Sequence, residues 1–404
     1  MDLFNHRLRL HADPSRVVVR PFHIASAPNG QTPSRTERLV SEVLKMSVEE
    51  AREELEAVLK DFEARHWQTR RVFMTRYAEV EDQLGLDGST IDNEKRQLIG
   101  AYFCHEYSYA AAALMNPSAV PHFDQSGMPE GSMRFLMSMR AVGEGHISSV
   151  AFREGIITDQ NQLKLAPEPP FATATDVQHR PEEGFLEGAV TVHRNRDSTL
   201  SGTVIFPITV AQSKGLEDMR IVQFTHDDGN VEWIGTYTAY NGSAIQSELM
   251  RTRDFRAFDL VPMTGPAARN KGMALFPRKV AGQYMMIGRQ DGENLFLLKS
   301  DTLEHWEEGE KILTPFYPWE LVQIGNCGPP IEIDEGWLLL THGVGAMRKY
   351  SIGAALLDKN DPSKVLGRTR EPILAAKDQD REGYVPNVVY SCGAIRHDDG
   401  LFLP

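Results

Sequence analysis

From Asn116 onward the sequence breaks into short strand-like runs that recur at intervals of roughly 50 residues, and this recurrence restricts the fold more than any other feature. The runs are RFLMSMRAV, GAVTVHRN, LSGTVIFPITV, RIVQFTH, VEWIGTYTAYNG, QYMMIGRQ, NLFLLKS and GWLLLTHGV, several opening on turns such as DGNVEW, VAGQYM or DEGWLL. In LLKSDTLEHW one run closes and the next begins. Helical periodicity is nearly absent here, and a strand-rich unit of this length cannot cover its own apolar face, so the units must pack on one another. The pattern predicts a β-propeller, although no strict WD or kelch signature occurs; a pair of β-sandwiches is the alternative.

The first quarter has a different texture. Between about Thr36 and Leu114 apolar residues follow helical spacing, and Ser47 with Glu50 forms a capping box ahead of Val48, Ala51, Leu55, Val58, Leu59 and Phe62. A second helix carries Val72, Phe73, Tyr77, Val80 and Leu84, and a third is expected to run through IDNEKRQLIGAYFCHEYSYAAAALM to Asn116-Pro117. Residues 1–115 are therefore read as an N-terminal segment and α-helical region, and 116–404 as an all-β propeller. The run GLFLP ends just after a turn, where further strands would be expected, so the last blade is read as truncated.

Charge and cysteine usage narrow the function. A formal net charge of −13 disfavours nucleic acid and anionic membranes as partners, because the long-range field repels phosphate backbones. Any bound anion needs a local basic cluster. The three cysteines, Cys104, Cys327 and Cys392, form neither a disulfide framework nor a C-x-x-C zinc pair, which points to a reducing, cytoplasmic setting. Neither a signal-peptide core nor an apolar run of membrane-spanning length is present.

Several short phrases could carry chemistry. In GLEDMRIVQF, Asp218 lies beside Glu217 and two residues before Arg220, so its acidity can be tuned either way; taken alone, the phrase reads rather as a solvated turn between strands. Arg269, Asn270 and Lys271 in PAARNKGMALFP, Arg289 in MMIGRQDG and His342 in LLLTHGVG are basic or polar groups at strand ends, where a propeller channel would gather them around an anion. Trp233, Tyr237, Tyr240, Tyr317, Trp319 and Tyr384 offer flat faces with polar edges of the kind sugar rings require, or simple core packing. MRAVGEGHISSV supplies Arg140, Glu144 and His146 but lacks a dinucleotide fingerprint, and no G-x-S-x-G, H-E-x-x-H or Walker motif occurs.

In order, NPSAVPHFD, MRAVGEGHISS, GLEDMRIV, GTYTAYNG, RNKGMALFP, NCGPPIEIDEGWLLLTHGVG and YVPNVVYSCGAI resemble the β-mannoside phosphorylases and mannosidases of glycoside hydrolase family 130. GWLLLTHGVG resembles that family's GWLLIYHGV, and EDMR its EDPR. The resemblance covers about Asn116 to Pro404 and implies a five-bladed β-propeller with the active site in its central channel. It implies Asp218 as the sole general acid, Arg269, Asn270, Arg289 and His342 on phosphate, and Arg140 near the sugar; Glu217, Arg220, Tyr240 and Asn326 join Arg140 on the substrate side. One acid suffices when phosphate attacks, because phosphate arrives already nucleophilic.

The implied reaction is inverting phosphorolysis of β-mannosides, with β-1,2-linked mannooligosaccharides as substrate, inorganic phosphate as co-substrate, α-mannose 1-phosphate as product, and neither metal nor organic cofactor. Three departures stand out: Gln323 replaces a frequent lysine before the G-x-G-P-P phrase, Met219 replaces the EDPR proline, and a further acidic position would fall past Pro404. The alternatives are a β-mannosidase using Glu217 or Glu144 as water-activating base, and a non-catalytic sugar-binding propeller. The helical first quarter resembles an extension of longer relatives and is expected to cap the channel or mediate homo-oligomers.

Overall fold

The computed structural model describes residues 3–6, 8–24, 33–178, 187–378 and 381–404. The chain is mostly β with a few N-terminal helices, and its contacts divide it into two compact units. One comprises Pro14–Tyr109 and Pro169–Ala174; the other comprises Met1–Asp13, Ala110–Glu168 and Thr175–Pro404.

The smaller unit is built around four helices: α1 (Arg35–Lys45), α2 (Val48–Phe62), α3 (Thr69–Leu84) and α4 (Asn93–Tyr102). The capping box expected at α2 is formed: the Glu50 N–H donates to Ser47 Oγ at 3.1 Å and the Ser47 N–H to Glu50 Oε2 at 2.7 Å. Ser34 and Glu37 repeat it at α1. Ala51, Leu55 and Leu59 of α2 and Phe73, Tyr77 and Val80 of α3 face inward as their spacing requires. Gly100 permits the close crossing of α4 on α3, since a Cβ there would lie 1.9 Å from the Phe73 carbonyl oxygen.

The third helix is shorter than expected. It stops at Tyr102, Cys104–Ser108 pairs antiparallel with Val17–Pro21, and Ala113–Pro121 is already a strand of the other unit. Strand pairing overrides the helix propensity here: Cys104–Ser108 pairs with the β-branched VVVRP segment, and Ala113 pairs with Val142 as a buried strand residue. The boundary expected at 115/116 thus falls inside a strand.

Among the described residues the larger unit contains four antiparallel sheets in chain order, the first two joined edge to edge where Ser148 pairs parallel with Gly215. The first runs Ala113–Pro121, Met133–Val142, Ser148–Ile157 and Leu163–Leu165. The second runs Gly215–Thr225, Val231–Tyr240, Ile245–Thr252 and Ala257–Pro262, with Val190–His193 and Asp176–Gln178 added at its outer edge. The third runs Ala274–Leu275, Tyr284–Gly288, Leu295–Ser300 and Glu310–Leu313, and the fourth Gln323–Asn326, Gly336–Val344, Tyr350–Leu357 and Val365–Arg368. A hairpin, Ile395–His397 with Gly400–Phe402, follows.

Each core lies between consecutive sheets. Phe152, Met219 and Trp233 pack between the first and second, and Phe224, Leu249, Met286 and Trp306 between the second and third. Phe276, Ile287, Ile324 and Trp337 fill the next layer, while Met137, Met139, Ile395 and Phe402 join the hairpin to the first sheet. Met219 finds its place in the core because it lies over Gly235, where a Cβ would come within 3.0 Å of its sulfur.

Gly328 is a second position that only glycine suits. Its φ is +113°, and a Cβ would stand 2.3 Å from the Cys392 carbonyl oxygen, a backbone atom that cannot swing away. Gly328→Ala combines left-handed strain with overpacking and is expected to cost about 2–5 kcal/mol. Chemical denaturation of the purified variant checks this, and a midpoint within error of the parent contradicts it.

Candidate active site

In every sheet the start of the first strand and the end of the second lie at the same edge, because the two are antiparallel. Arg140 opposes Met115, Tyr240 opposes Gly215, and His342 opposes Gly325; Arg289 directly follows the second strand of the third sheet. Residues scattered over two hundred positions therefore occupy equivalent places in successive sheets.

Two bulges aim the central carboxylate. The register slips between Glu217 and Arg220 in one first strand and between Met115 and Ser118 in its neighbour, and within the slips Asp218 has φ +55° and Asn116 φ +52°. EDMR is thus a bulge within a strand rather than a turn before one. Left-handed backbone at a non-glycine residue costs energy and persists where surrounding structure compels it; here the bulges point the two side chains at each other.

Asp218 Oδ1 accepts from Asn116 Nδ2 at 2.5 Å and from Arg140 Nη1 at 3.1 Å, whereas Oδ2 has no protein donor among the described residues. Arg140 also donates to Glu217 Oε1 at 2.7 Å and to Ser148 Oγ at 2.8 Å. The other Glu217 oxygen accepts from Lys271 Nζ at 3.0 Å, and that ammonium lies 6.0 Å from the Tyr240 ring centre. Both Glu217 oxygens are thereby committed to cations, while the Asp218 side chain is 22% exposed.

Beneath this layer Arg220 is buried and holds three partners. It donates to the Asn326 Oδ1 at 3.0 Å, the Asp218 carbonyl at 2.9 Å and the Tyr390 hydroxyl at 2.6 Å. Asn326 in turn donates to the Gly272 carbonyl at 2.6 Å, which ties the Arg269–Gly272 loop to the same cluster. Arg220 and Asn326, expected on the substrate side, spend their polar atoms on one another, on the Tyr390 hydroxyl and on the backbone.

Arg269 is exposed, Arg289 is half-buried, and neither guanidinium donates to or pairs with a described residue. Asn270 uses its backbone carbonyl, which accepts from Ser247 Oγ at 2.5 Å, and keeps its amide uncommitted among the described residues. These three retain the donors an oxyanion requires. Gln323 begins the first strand of the fourth sheet, opposite Val344.

His342 is buried between Tyr350, stacked at 5.7 Å, and Tyr390 at 4.8 Å. Its Nδ1 lies 3.1 Å from the Asn326 carbonyl oxygen, which can only accept, so Nδ1 carries the ring proton and Nε2 is the acceptor. Burial, with Arg289 and Arg220 adding to it, lowers its pKa to about 3, so this histidine is neutral and contributes no positive charge.

Burial alone would raise the Asp218 pKa, but Arg140, Arg220, Asn116 and Lys271 together outweigh it and hold the carboxyl below the ordinary range. Both groups bind fewer protons folded than unfolded in acid, so both lose stability on acidification. The His342 contribution is complete above its ordinary value of 6.5 and is lost as pH falls from there toward about 3; the Asp218 contribution is present above its ordinary 3.8 and lost as pH falls through the folded value. Denaturation midpoints should fall steadily below pH 6.5, and His342→Asn should flatten the upper part of that fall.

Sequence reasoning missed Asn116, Ser148 and Tyr390 as members of this cluster, although each stands in a phrase that carries the family resemblance. The Asn-Pro pair after the alanine run was the available signal, because asparagine tolerates left-handed backbone. Trp233 and Tyr237 are core residues, their polar atoms held by the Pro121 carbonyl and Glu248. Tyr384 is half exposed, its hydroxyl 3.2 Å from His146 Nδ1. Among the described residues no group of three or more His, Cys, Asp or Glu could hold a metal, and no helix is long and apolar enough to cross a membrane.

The fold and the cluster define a β-sheet unit built around a carboxylate among cations, and comparison with known proteins specifies its family. The family model described as beta-1,4-mannooligosaccharide phosphorylase matches residues 192–403, and the chain belongs to glycoside hydrolase family 130. It is 41% identical over 136 residues to a 1,2-beta-oligomannan phosphorylase of Thermoanaerobacter sp., covering 33% of this chain and 46% of that protein. It is 31% identical over 207 residues to a beta-1,2-mannobiose phosphorylase of Listeria innocua, covering 49% and 56%. The chain spans about half the length of the curated relatives it matches. In fold it is similar to a glycosyl hydrolase from Bacteroides ovatus, with TM-score 0.50, 20% identity and coverage of 74% and 82%.

Proposed function

We propose that this chain carries the catalytic unit of an inverting β-mannoside phosphorylase acting on β-1,2-linked mannooligosaccharides, with its sheets forming the blades of a five-bladed propeller. Contacts between neighbours support the ring: Ile221 to Ser118, Thr225 to Pro277, Ile324 to Glu293, Tyr350 to Asn387 and Cys392 to Pro117 link the first sheet to the second, third and fourth, then the final segment, then the first again. The names of the relatives, which are phosphorylases of β-1,2- and β-1,4-mannosides, support the substrate class.

One observation carries the choice of phosphorolysis over hydrolysis. Both Glu217 oxygens already accept from cations, Arg140 and Lys271, whereas Asp218 Oδ2 has no donor among the described residues, and Arg269, Asn270 and Arg289, at the ends of strands on the same sheet edge, keep side-chain donors that could bind an oxyanion. In this reading a phosphate oxygen attacks the anomeric carbon from the face opposite the leaving group. The bond to the glycosidic oxygen breaks, and Asp218 returns a proton to that oxygen, directly or through a sugar hydroxyl. Arg140 and Asn116 hold Asp218 in place, Arg220 and Asn326 hold the bulge, Tyr240 flanks the sugar, and His342 Nε2 accepts a hydrogen bond from phosphate or a sugar hydroxyl.

Incubating the protein with β-1,2-mannobiose, with and without inorganic phosphate, tests the reading: mannose 1-phosphate formed only with phosphate supports it. Mannose released equally without phosphate would make the chain a hydrolase. Arg289→Ala should raise the KM for phosphate about 10- to 100-fold, the scale of a charged hydrogen bond, with little change in the KM for mannobiose. A rise confined to the sugar would move Arg289 to the sugar side.

A further inference from the structure

We propose that the fourth sheet carries a second saccharide-binding site, one that receives the distal residues of a β-mannan chain whose reacting end lies at Asp218; this rests on the mannoside reading above. A cavity of about 740 Å³ opens beside this sheet, lined by Phe316, Tyr317, Trp319, Lys349, Arg370 and Glu371 among others. Its size is that of a ligand pocket rather than a packing defect.

The aromatic wall is built in a specific way. A Cβ on Gly343 or Gly353 would lie 2.6 Å from atoms of the Trp319 ring, so two adjacent side-chain-free positions let the indole lie on the sheet. The indole N–H donates to the Arg370 carbonyl at 3.0 Å, which sets the ring's orientation. Tyr317 meets Phe316 edge to face at 5.1 Å and has the Arg368 guanidinium 5.3 Å from its ring centre. Phe316 is 70% exposed, a large apolar ring at the mouth of a cavity. Flat apolar faces of this kind match the C–H faces of a pyranose.

The polar edge suits a neutral polyhydroxylated ligand. Lys349, Arg370 and Glu371 make no side-chain hydrogen bond or ion pair with a described residue, so their donors and acceptors are available, and the mixed signs do not select an anion. The position fits one continuous chain. Ser351, in the cavity wall, pairs with Gly343 at the same edge of the sheet as His342, whose ring and the Tyr350 stacked on it lie on the opposite face. A saccharide crossing that edge over the 345–349 loop, which contributes Lys349 to the cavity wall, would join the two sites.

The test uses full-length protein with β-1,2-mannobiose and with mannotetraose. Phe316→Ala, at an exposed position, and Trp319→Phe, which keeps a ring over the glycines, should each raise the KM for mannotetraose about tenfold and leave mannobiose turnover within twofold. In an Asp218→Asn background, calorimetry should register the same tenfold loss of mannotetraose affinity. Phosphorolysis that depends on Asp218 but handles both substrates identically in parent and variants would overturn the second site and leave the proposed reaction standing. Phe316-dependent mannotetraose binding without turnover of any mannoside would do the reverse, keeping the site and discarding the reaction. Absence of mannotetraose binding would overturn the site.

Discussion

Asp218→Asn is expected to lower kcat about 10²- to 10⁴-fold, the range for loss of a positioned general acid, while the protein stays folded. Asparagine preserves the shape of the side chain, so Asn116 and Arg140 can remain nearby, while the carboxyl's charge and its capacity to take up and give a proton are lost. The parent adds a constraint. In the site without phosphate the carboxyl is held in its ionised form, after burial is overcome, by Arg140, Arg220, Asn116 and Lys271, which is the wrong form for an acid. A phosphate dianion at Arg269 and Arg289 would oppose those cations and raise the carboxyl's pKa, so proton uptake at Asp218 should accompany phosphate binding. Measuring phosphate binding in buffers of different ionisation enthalpy counts that proton. Full activity in Asp218→Asn would remove Asp218 from the chemistry altogether.

Arg220→Met should produce the largest loss of stability among substitutions in the cluster. Methionine matches much of the arginine stem but leaves the Asn326 side-chain oxygen, the Asp218 carbonyl and the Tyr390 hydroxyl without their donor. Stranding buried acceptors costs roughly 1–3 kcal/mol each, so about 3–5 kcal/mol is expected after rearrangement, a large part of a domain's total stability. Urea denaturation reads this directly. A loss below about 1 kcal/mol would mean that water replaces the guanidinium and that the bulge stands without it.

The helices of the first quarter were legible because their signals are local: the Ser47 and Glu50 capping box and the inward stripe of α2 need only a few neighbouring residues to be read. The end of the third helix was not legible, because the strand Cys104–Ser108 exists through pairing with Val17–Pro21, more than eighty positions away. Recurring strand runs announced the sheets in the same local manner. Which sheets touch, and where the cores lie, depends on contacts such as Met219 over Gly235 that no single run contains.

By itself the sequence determined the sheet-rich class, the helical opening, and the chemical types available in EDMR, PAARNKG and THGVG. Residue identity and near-neighbour spacing suffice for these. Tertiary structure alone decided their electrostatic states: two opposed bulges bring Asn116 onto Asp218, two cations neutralise Glu217, and burial beside Arg289 and Arg220 keeps His342 uncharged. A proton's free energy at a site depends on every charge and dipole within a few ångströms, and in a folded sheet protein most of those come from distant parts of the chain.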